Sequence, residues 1–243
     1  MQYKTELHAH TAEASRCGDF LVNEVADKYI EAGFTTLVLT NHYFKGQMME
    51  HIEGLGKNWV EHYIGVYHKM RDYAKGRLNI LLGCELRFLQ NRNDYLVFGL
   101  TEDFLRAHAD MHLMDYKSFS ALARENGLLF VQAHPLRNGI TLVDPKYLDG
   151  MEVFNAHAGH DSRNDLANEL ALRYGLIRTS GGDFHHPYHV PGDGGIITDT
   201  PIETMEQLVE TLRSGNYTLI CQGEAAKRDR MQNMPAKPKE KEV

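Results

Sequence analysis

The chain has 243 residues and a formal net charge of −7, from 33 acids against 26 bases. That length suits one α/β barrel, and a hydrophobic content of 42% is enough for a sizeable core. The acidic balance counts against a protein whose main task is gripping a polynucleotide backbone, but it leaves room for a small phosphorylated substrate, which needs only a local positive site.

Strand-like and helix-like runs alternate along the chain. The first strand, Thr5-Glu6-Leu7-His8-Ala9-His10, ends on two histidines. Leu21, Val25, Tyr29 and Ala32 follow near helical spacing, with Gly33 as the C-cap. Residues 35–39 are apolar and β-branched, as buried parallel strands are, and lead into His42. A long polar helix is predicted over 48–75, with Trp59, Tyr63, Val66 and Met70 at three- and four-residue steps and Trp59 as a packing residue. Residues 78–85 form a third strand ending at Glu85, and 95–100 a further apolar run. Residues 116–126 read as a helix stopped by Gly127, and 128–133 as the strand before His134. A short strand over 151–155, a helix over 161–174 stopped by Gly175, and a strand over 176–179 lead to Asp183 and His185. A strand at 196–198, a helix at 204–213 and a strand at 217–220 close the pattern. Such alternation implies βα units and a parallel sheet. From Ala225 the chain holds many charges, two prolines and almost no apolar anchor, so residues 225–243 are expected to be a loosely ordered tail on a domain spanning 1–224.

Cys17, Cys84 and Cys221 are odd in number, far apart and form no C-x-x-C. A disulfide framework or zinc knuckle is therefore not expected, and a reducing cytoplasm fits. The first residues carry no apolar stretch like a signal peptide, and no run approaches membrane-spanning length. A soluble, cytoplasmic protein without a membrane partner is the expectation.

Five of the apolar runs share a property: each delivers a metal-type donor at its C-terminal end. The donors are His8 and His10, His42, Glu85, His134, then Asp183 and His185. In a barrel or open sheet of parallel strands those ends gather on one face, so the donors would converge on a multinuclear metal site. Residues two apart on a strand point the same way, which lets both imidazoles of His8-x-His10 reach one ion. Asp183-x-His185 repeats the geometry, and Glu85 is positioned to bridge two ions. Mixed imidazole and carboxylate ligation suits Zn, Mn or Fe rather than calcium. A single H-x-H is more often a surface accident, and a lone strand-end Glu is usually solvated; the joint pattern outweighs both readings.

Glu6-Leu7-His8-Ala9-His10-Thr11, Thr40-Asn41-His42, Gly83-Cys84-Glu85, Ala133-His134-Pro135, Glu152-Val153-Phe154-Asn155 and Gly182-Asp183-Phe184-His185 resemble, in order, the motifs of the PHP (polymerase and histidinol phosphatase) family. The resemblance covers about residues 3–222. It implies a distorted (β/α)7 TIM-like barrel, two or three divalent metal ions at the C-terminal ends of the strands, and hydrolysis of phosphoesters. By the resemblance, His8, His10, Glu85 and Asp183 would hold one ion, Glu85 would bridge to a second with His134, and His42 and His185 would hold a third. The family commonly has an Asp or His five or six residues after the H-x-H, where this chain has Ser15 and Arg16. Glu13 and Asp19 are the nearest substitutes, and Glu13 is the favoured ligand, against its reading as an exposed loop acid. Some members place a His after the Gly-x-Glu motif; here Asp94 stands at that place, and His108 and His112 read as surface histidines of a helix face.

Several residues carry two readings. Asn155 ends a strand on the expected face and could line the pocket. His157 and His160 could protonate a leaving group, since an unperturbed His titrates near neutrality, or they are exposed loop histidines. Arg16, Lys45, Arg87, Arg137 and Arg163 lie near strand ends, and Arg16 and Arg137 rank first for gripping a phosphate in a guanidinium fork. Gly181-Gly182 and Gly192-x-Gly194-Gly195 match no phosphate-binding fingerprint and read as tight turns. The expected function is a metal-dependent phosphatase acting on a small phosphorylated metabolite, histidinol phosphate-like or a nucleotide. The alternatives are a phosphodiesterase or nuclease acting on short oligonucleotides, and a non-catalytic metal-binding scaffold. An amidohydrolase-type C–N hydrolase is disfavoured because no lysine ends a strand.

Overall fold

Short apolar runs become short strands, and helices cover them. The protein is described here by a computed structural model over residues 2–237. In chain order it contains β1 (Tyr3–Ala9), α1 (Val22–Glu31), β2 (Thr36–Leu39), β3 (His42–Tyr43), α2 (Gln47–Gly54), α3 (Trp59–Ala74), β4 (Asn79–Leu82), β5 (Cys84–Arg87) and β6 (Asp94–Phe98). There follow α4 (Glu102–Ala107), α5 (Tyr116–Glu125), β7 (Leu129–Gln132), β8 (Gly150–Asn155), α6 (Asn164–Tyr174), β9 (Ile177–Gly181), β10 (Ile196–Thr198), α7 (Met205–Ser214), β11 (Thr218–Leu219), α8 (Gly223–Arg228) and β12 (Met234–Pro235).

The strands form two six-stranded sheets, ordered β12-β11-β10-β1-β2-β4 and β3-β5-β6-β7-β8-β9. The chain passes from the first sheet to the second twice, at Thr40-Asn41 between β2 and β3 and at Gly83 between β4 and β5. A lone parallel bridge from Ala9 to Phe184 ties β1 to the segment after β9. The mixed α/β architecture agrees with the expectation, but the described strands do not close into a barrel ladder. The sheets are also not uniformly parallel: β6 pairs antiparallel with both β5 and β7. Residues 88–93 are too few for the crossover that a parallel return requires, so β5 and β6 can only form a hairpin-like pair.

Helical periodicity locates most helices well. In α1 the buried residues are Val22, Val25, Ala26 and Tyr29, one stripe of a 3.6-residue period. The long helix predicted over 48–75 is instead two helices. Gly56 takes φ +72° between them, and the Asn58 side chain caps α3 by accepting from Glu61 N at 3.1 Å. His108 and His112 do not share a helix face: one follows α4, and the other is buried in a 3-10 turn against Tyr43. Trp59 packs on Tyr43 and Tyr63.

The tail expectation needs correction for residues 225–237. Ala225, Ala226 and Ala236 are buried, β12 adds to the edge of β11, and the Arg178 guanidinium donates to the carbonyls of Pro235 and Ala236. A single buried cation from β9 anchors a segment that its own composition would leave loose. Residues 238–243 lie outside the described residues. No helix among the described residues is long and apolar enough to cross a membrane, and the three cysteines are free.

Two clusters of the interior differ in chemistry. Between α5 and the second sheet, Phe88, Tyr95, Phe119 and Phe130 stack and cross at 4.6–6.1 Å between ring centroids. At the junction, the interior is filled by imidazoles and carboxylates.

Candidate metal centre

The ends of β1, β7 and β9 and the starts of β3 and β5 meet where the two sheets join. They carry His8 and His10, His42, Glu85, His134, and Asp183 with His185 to one place. Glu85 lies in the middle: its carboxylate is 3.4 Å from His8 Nε2, 3.4 Å from His10 Nε2, 2.7 Å from His42 Nδ1 and 3.1 Å from His134 Nε2. Asp183 Oδ1 is 3.4 Å from both His8 Nε2 and His10 Nε2, and 3.2 Å from His185 Nδ1. Donor atoms of His8, His10 and Glu85 lie within 4.8 Å of one another, as do those of His8, His134 and Asp183, and those of His10, His42 and His185. All seven strand-end donors expected from the sequence are thus brought together.

The backbone is bent to achieve this. His134 and Asp183 take φ +28° and +47°, a left-handed region that costs a non-glycine residue about 1–3 kcal/mol. The Glu152 carboxylate holds the first bend by accepting from His134 N at 2.9 Å. The Gly181-Gly182 pair permits close approach: a Cβ on Gly181 would sit 2.4 Å from His8 Cβ, and one on Gly182 would sit 2.9 Å from the Glu6 carboxylate.

A layer of polar partners orients the donors. His8 Nδ1 donates to Glu152 Oε1 at 2.8 Å, which turns His8 Nε2 toward Glu85 and Asp183. Asn155 Nδ2 donates to Glu152 Oε2 at 3.0 Å and to Asp183 Oδ2 at 3.1 Å. Buried Glu6 accepts from Gly182 N, His8 N and Tyr29 Oη, at 2.8–2.9 Å. The Ser15 hydroxyl sits 3.2 Å from His10 Nδ1.

The donor set fits a metal on a further observation. Among the described residues, eleven buried side-chain polar atoms make no aligned hydrogen bond, and seven lie here: His8 Nε2, His10 Nε2, His42 Nδ1, Glu85 Oε2, His134 Nδ1, His160 Nε2 and His189 Nε2, with the His42 and Glu85 atoms facing each other at 2.7 Å. Each orphaned buried group costs about 1–3 kcal/mol, and a cation would satisfy most of them at once. The electrostatics agree. Burial pushes the Glu85 and Asp183 carboxyls up, yet the surrounding histidines outweigh it: His42 and His8 at Glu85, and His8 and His185 at Asp183. Both stay well below the ordinary carboxylate range. Burial opposes charge on His42 too, and Glu85 outweighs it, raising the ring from 6.5 to about 10. Without metal, protons on imidazoles neutralise the acids; a divalent ion would take their place.

The centre opens to a cleft of about 290 Å³, lined by Cys17, His42, Phe44, Glu85, Arg87, His134, Arg137, His157, Asp183, His185 and His186. Arg137 lines it, whereas Arg16 is exposed and not among its lining residues. Arg87 is engaged by Asp94 at 2.6 and 2.8 Å and stacks over Phe44. Asp94 lies 3.8 Å from His134 Nε2, at the rim of the donor set. Arg163 is spent on the Leu136 carbonyl and on Asn138, which pins the loop carrying Arg137.

Glu13, expected as a ligand, is not in the centre. Both its carboxylate oxygens accept from Val22 N at 3.2 Å, the first residue of α1, and Lys69 adds an ion pair at 2.9 Å. The positive end of the helix attracts the acid, and that interaction wins. His157 and His160 do reach the centre. They stack at 4.2 Å, and His160 Nε2 is 3.7 Å from Asp183 Oδ2. Burial, with no sufficient carboxylate to offset it, lowers both, His157 to about 3. They are neutral at pH 7, so their environment does not support the expectation of a ring charged near neutrality.

The PHP domain matches residues 6–219. The chain belongs to the PHP-domain family. Solved structures share the fold at low identity. PsfC from Pseudomonas syringae superposes with a TM-score of 0.66 at 16% identity, covering 93% of this chain and 94% of its own. A candidate metal-dependent phosphoesterase from Bifidobacterium adolescentis has a TM-score of 0.52 at 14% identity, over 86% of this chain and 95% of its own. The lesion-specific endonuclease EndoQ from Pyrococcus furiosus has a TM-score of 0.63 at 15% identity, over 90% of this chain but 58% of its own. No curated protein matches the sequence.

Two members of the site were given no role by the sequence, although Glu152 stands in one of the family-like motifs. Glu152 is a fully buried acid within the apolar run Met151-Glu152-Val153-Phe154, and that mismatch was its available signal. Cys17 lies in a loop with no periodicity, and nothing local distinguishes it from an ordinary thiol.

Proposed function

We propose that this PHP domain is a divalent-metal-dependent phosphatase that hydrolyses phosphate monoesters on a small phosphorylated metabolite, histidinol phosphate-like or a nucleotide. The observation that supports it is the convergence of His8, His10, His42, Glu85, His134, Asp183 and His185, with orphaned donor atoms, on the floor of a small cleft. In this reading His8, His10, Glu85 and Asp183 hold one ion, Glu85 and His134 a second, and His42 and His185 a third. The nitrogen and carboxylate donors suit zinc, manganese or iron. What such ions supply is a nucleophile available at neutral pH and counter-charge for the phosphoryl oxygens.

The chain's own groups do the positioning. Arg137 orients the phosphate from the cleft wall, since a guanidinium matches two of its oxygens. Asn155 and Glu152 keep Asp183 and His8 in fixed orientations, so little reorganisation accompanies the charge change at phosphorus. His157 accepts from Gly159 N at Nδ1, which leaves its neutral ring with the proton on Nε2. It is suited to donate a hydrogen bond to the departing oxygen, with His160 stacked behind it. Three free thiols fit action in a reducing cytoplasm.

Metal-loaded protein is expected to turn over p-nitrophenyl phosphate and a subset of phosphorylated metabolites, and to lose this with a chelator. Cleavage of short oligonucleotides without monoester turnover would favour the nuclease reading, which the EndoQ fold likeness motivates. A full metal complement with no turnover of any phosphoester would leave a scaffold.

A further inference from the structure

We propose that Cys17 is a metal ligand, its thiolate sharing one ion with His42 and His185 and giving that position a sulfur donor. The inference rests on the metal-dependent reading above and concerns the loop between β1 and α1. That loop is clamped to both histidines on either side of the cysteine. On one side, His42 N donates to Ser15 Oγ at 2.9 Å; on the other, Asp19 N donates to His185 O at 2.9 Å. A turn closes between them, with Gly18 N donating to Ser15 O at 2.8 Å. Cys17, between the two clamps, is thereby presented to the cleft beside His42 and His185.

An independent observation points to a ligand there. His10, whose donor atom borders both this position and the one at His8 and Glu85, is 1% exposed, its Nε2 has no hydrogen-bond partner, and that ring packs 4.5 Å from His42 and 4.1 Å from His185. Donor atoms of these three histidines lie within 4.8 Å of one another. Three imidazoles crowd one position whose nearest carboxylates, Glu85 and Asp183, are shared with the rest of the centre. A thiolate supplies local negative charge that belongs to this position alone. Cys84 and Cys221 are buried outside the cleft lining, so Cys17 is the thiol that lines it. Sulfur with imidazole nitrogen favours zinc, or iron, over manganese or magnesium.

Cobalt(II) tests this in the full-length protein after the native metals are removed. The wild-type protein should develop a sulfur-to-cobalt charge-transfer band in the near ultraviolet. Cys17→Ser should lose the band and bind its last equivalent of metal more than about 100-fold more weakly, since even partners outside the coordination sphere are worth about 10- to 100-fold. Cys17→Asp should lose the band but keep the metal. Bound metal should also protect Cys17 from iodoacetamide, read by mass spectrometry. Cobalt uptake without a sulfur band, or a band that survives Cys17→Ser, would overturn the proposal while leaving the metal-dependent reading standing. Failure to take up cobalt at all would overturn both. The wild-type spectrum decides even where a variant folds poorly.

Discussion

His8 and His10 belong to one three-residue motif and are both almost fully buried, yet they titrate in opposite directions. Burial opposes charge on each. At His8 it is outweighed by Asp183, Glu152 and Glu85, which lift the ring well above its ordinary value. At His10 burial is joined by repulsion from His185 and His42, which drive the ring well below it. The first ring sits on an acid-rich side, hydrogen-bonded to Glu152; the second sits on a histidine-rich side, with Ser15 and Cys17 nearby. The motif brings two nitrogens together, and the chemistry of each comes from residues remote in sequence.

Removing a shared acid should erase the contrast. Asp183→Ala is expected to lower the proposed phosphatase activity by more than about 100-fold, with the secondary structure intact by circular dichroism. Wild-type-like turnover would mean the centre is misassigned. Glu152→Gln should act on the acid-rich side alone, weakening metal binding there by about 10- to 100-fold. Equal weakening of every bound ion, read by calorimetric titration, would argue against two distinct sides.

The pH dependence sharpens the same comparison. In metal-free protein the raised pKa of His42, about 10, adds stability that is fully present below its unfolded value of 6.5 and is lost as pH rises toward 10. The depressed Glu85 and Asp183 add stability that is present above the ordinary carboxylate range and is lost as pH falls below it. The metal-free Tm should therefore decline between pH 7 and 10, whereas the loaded protein holds its Tm because metal replaces the protons. Parallel Tm profiles for the two forms would contradict this. The smallest effect is expected at Glu13. Glu13→Ala removes the acid at the start of α1 and should cost about 1 kcal/mol, read by urea unfolding, with no change in metal content.

The seven strand-end donors were legible because strand periodicity is local and the ends of neighbouring strands must gather. What was not legible is non-local. The two-sheet arrangement follows from breaks such as Gly83 and from a β5–β6 connection too short for a crossover. Glu13 carries the right chemistry, but its fate depends on where α1 begins. The order of residues 225–237 depends on Arg178, about fifty residues upstream, and the low pKa of His157 depends on burial that loop composition does not reveal.

Anomalous diffraction from crystals of the protein loaded with zinc, manganese or iron tests the metal centre most directly. The expected result is a cluster of peaks within coordination distance of Glu85, contacting His8, His134 and Asp183, with another beside His42 and His185. Crystals grown in the presence of these metals with no peak among those residues would contradict it.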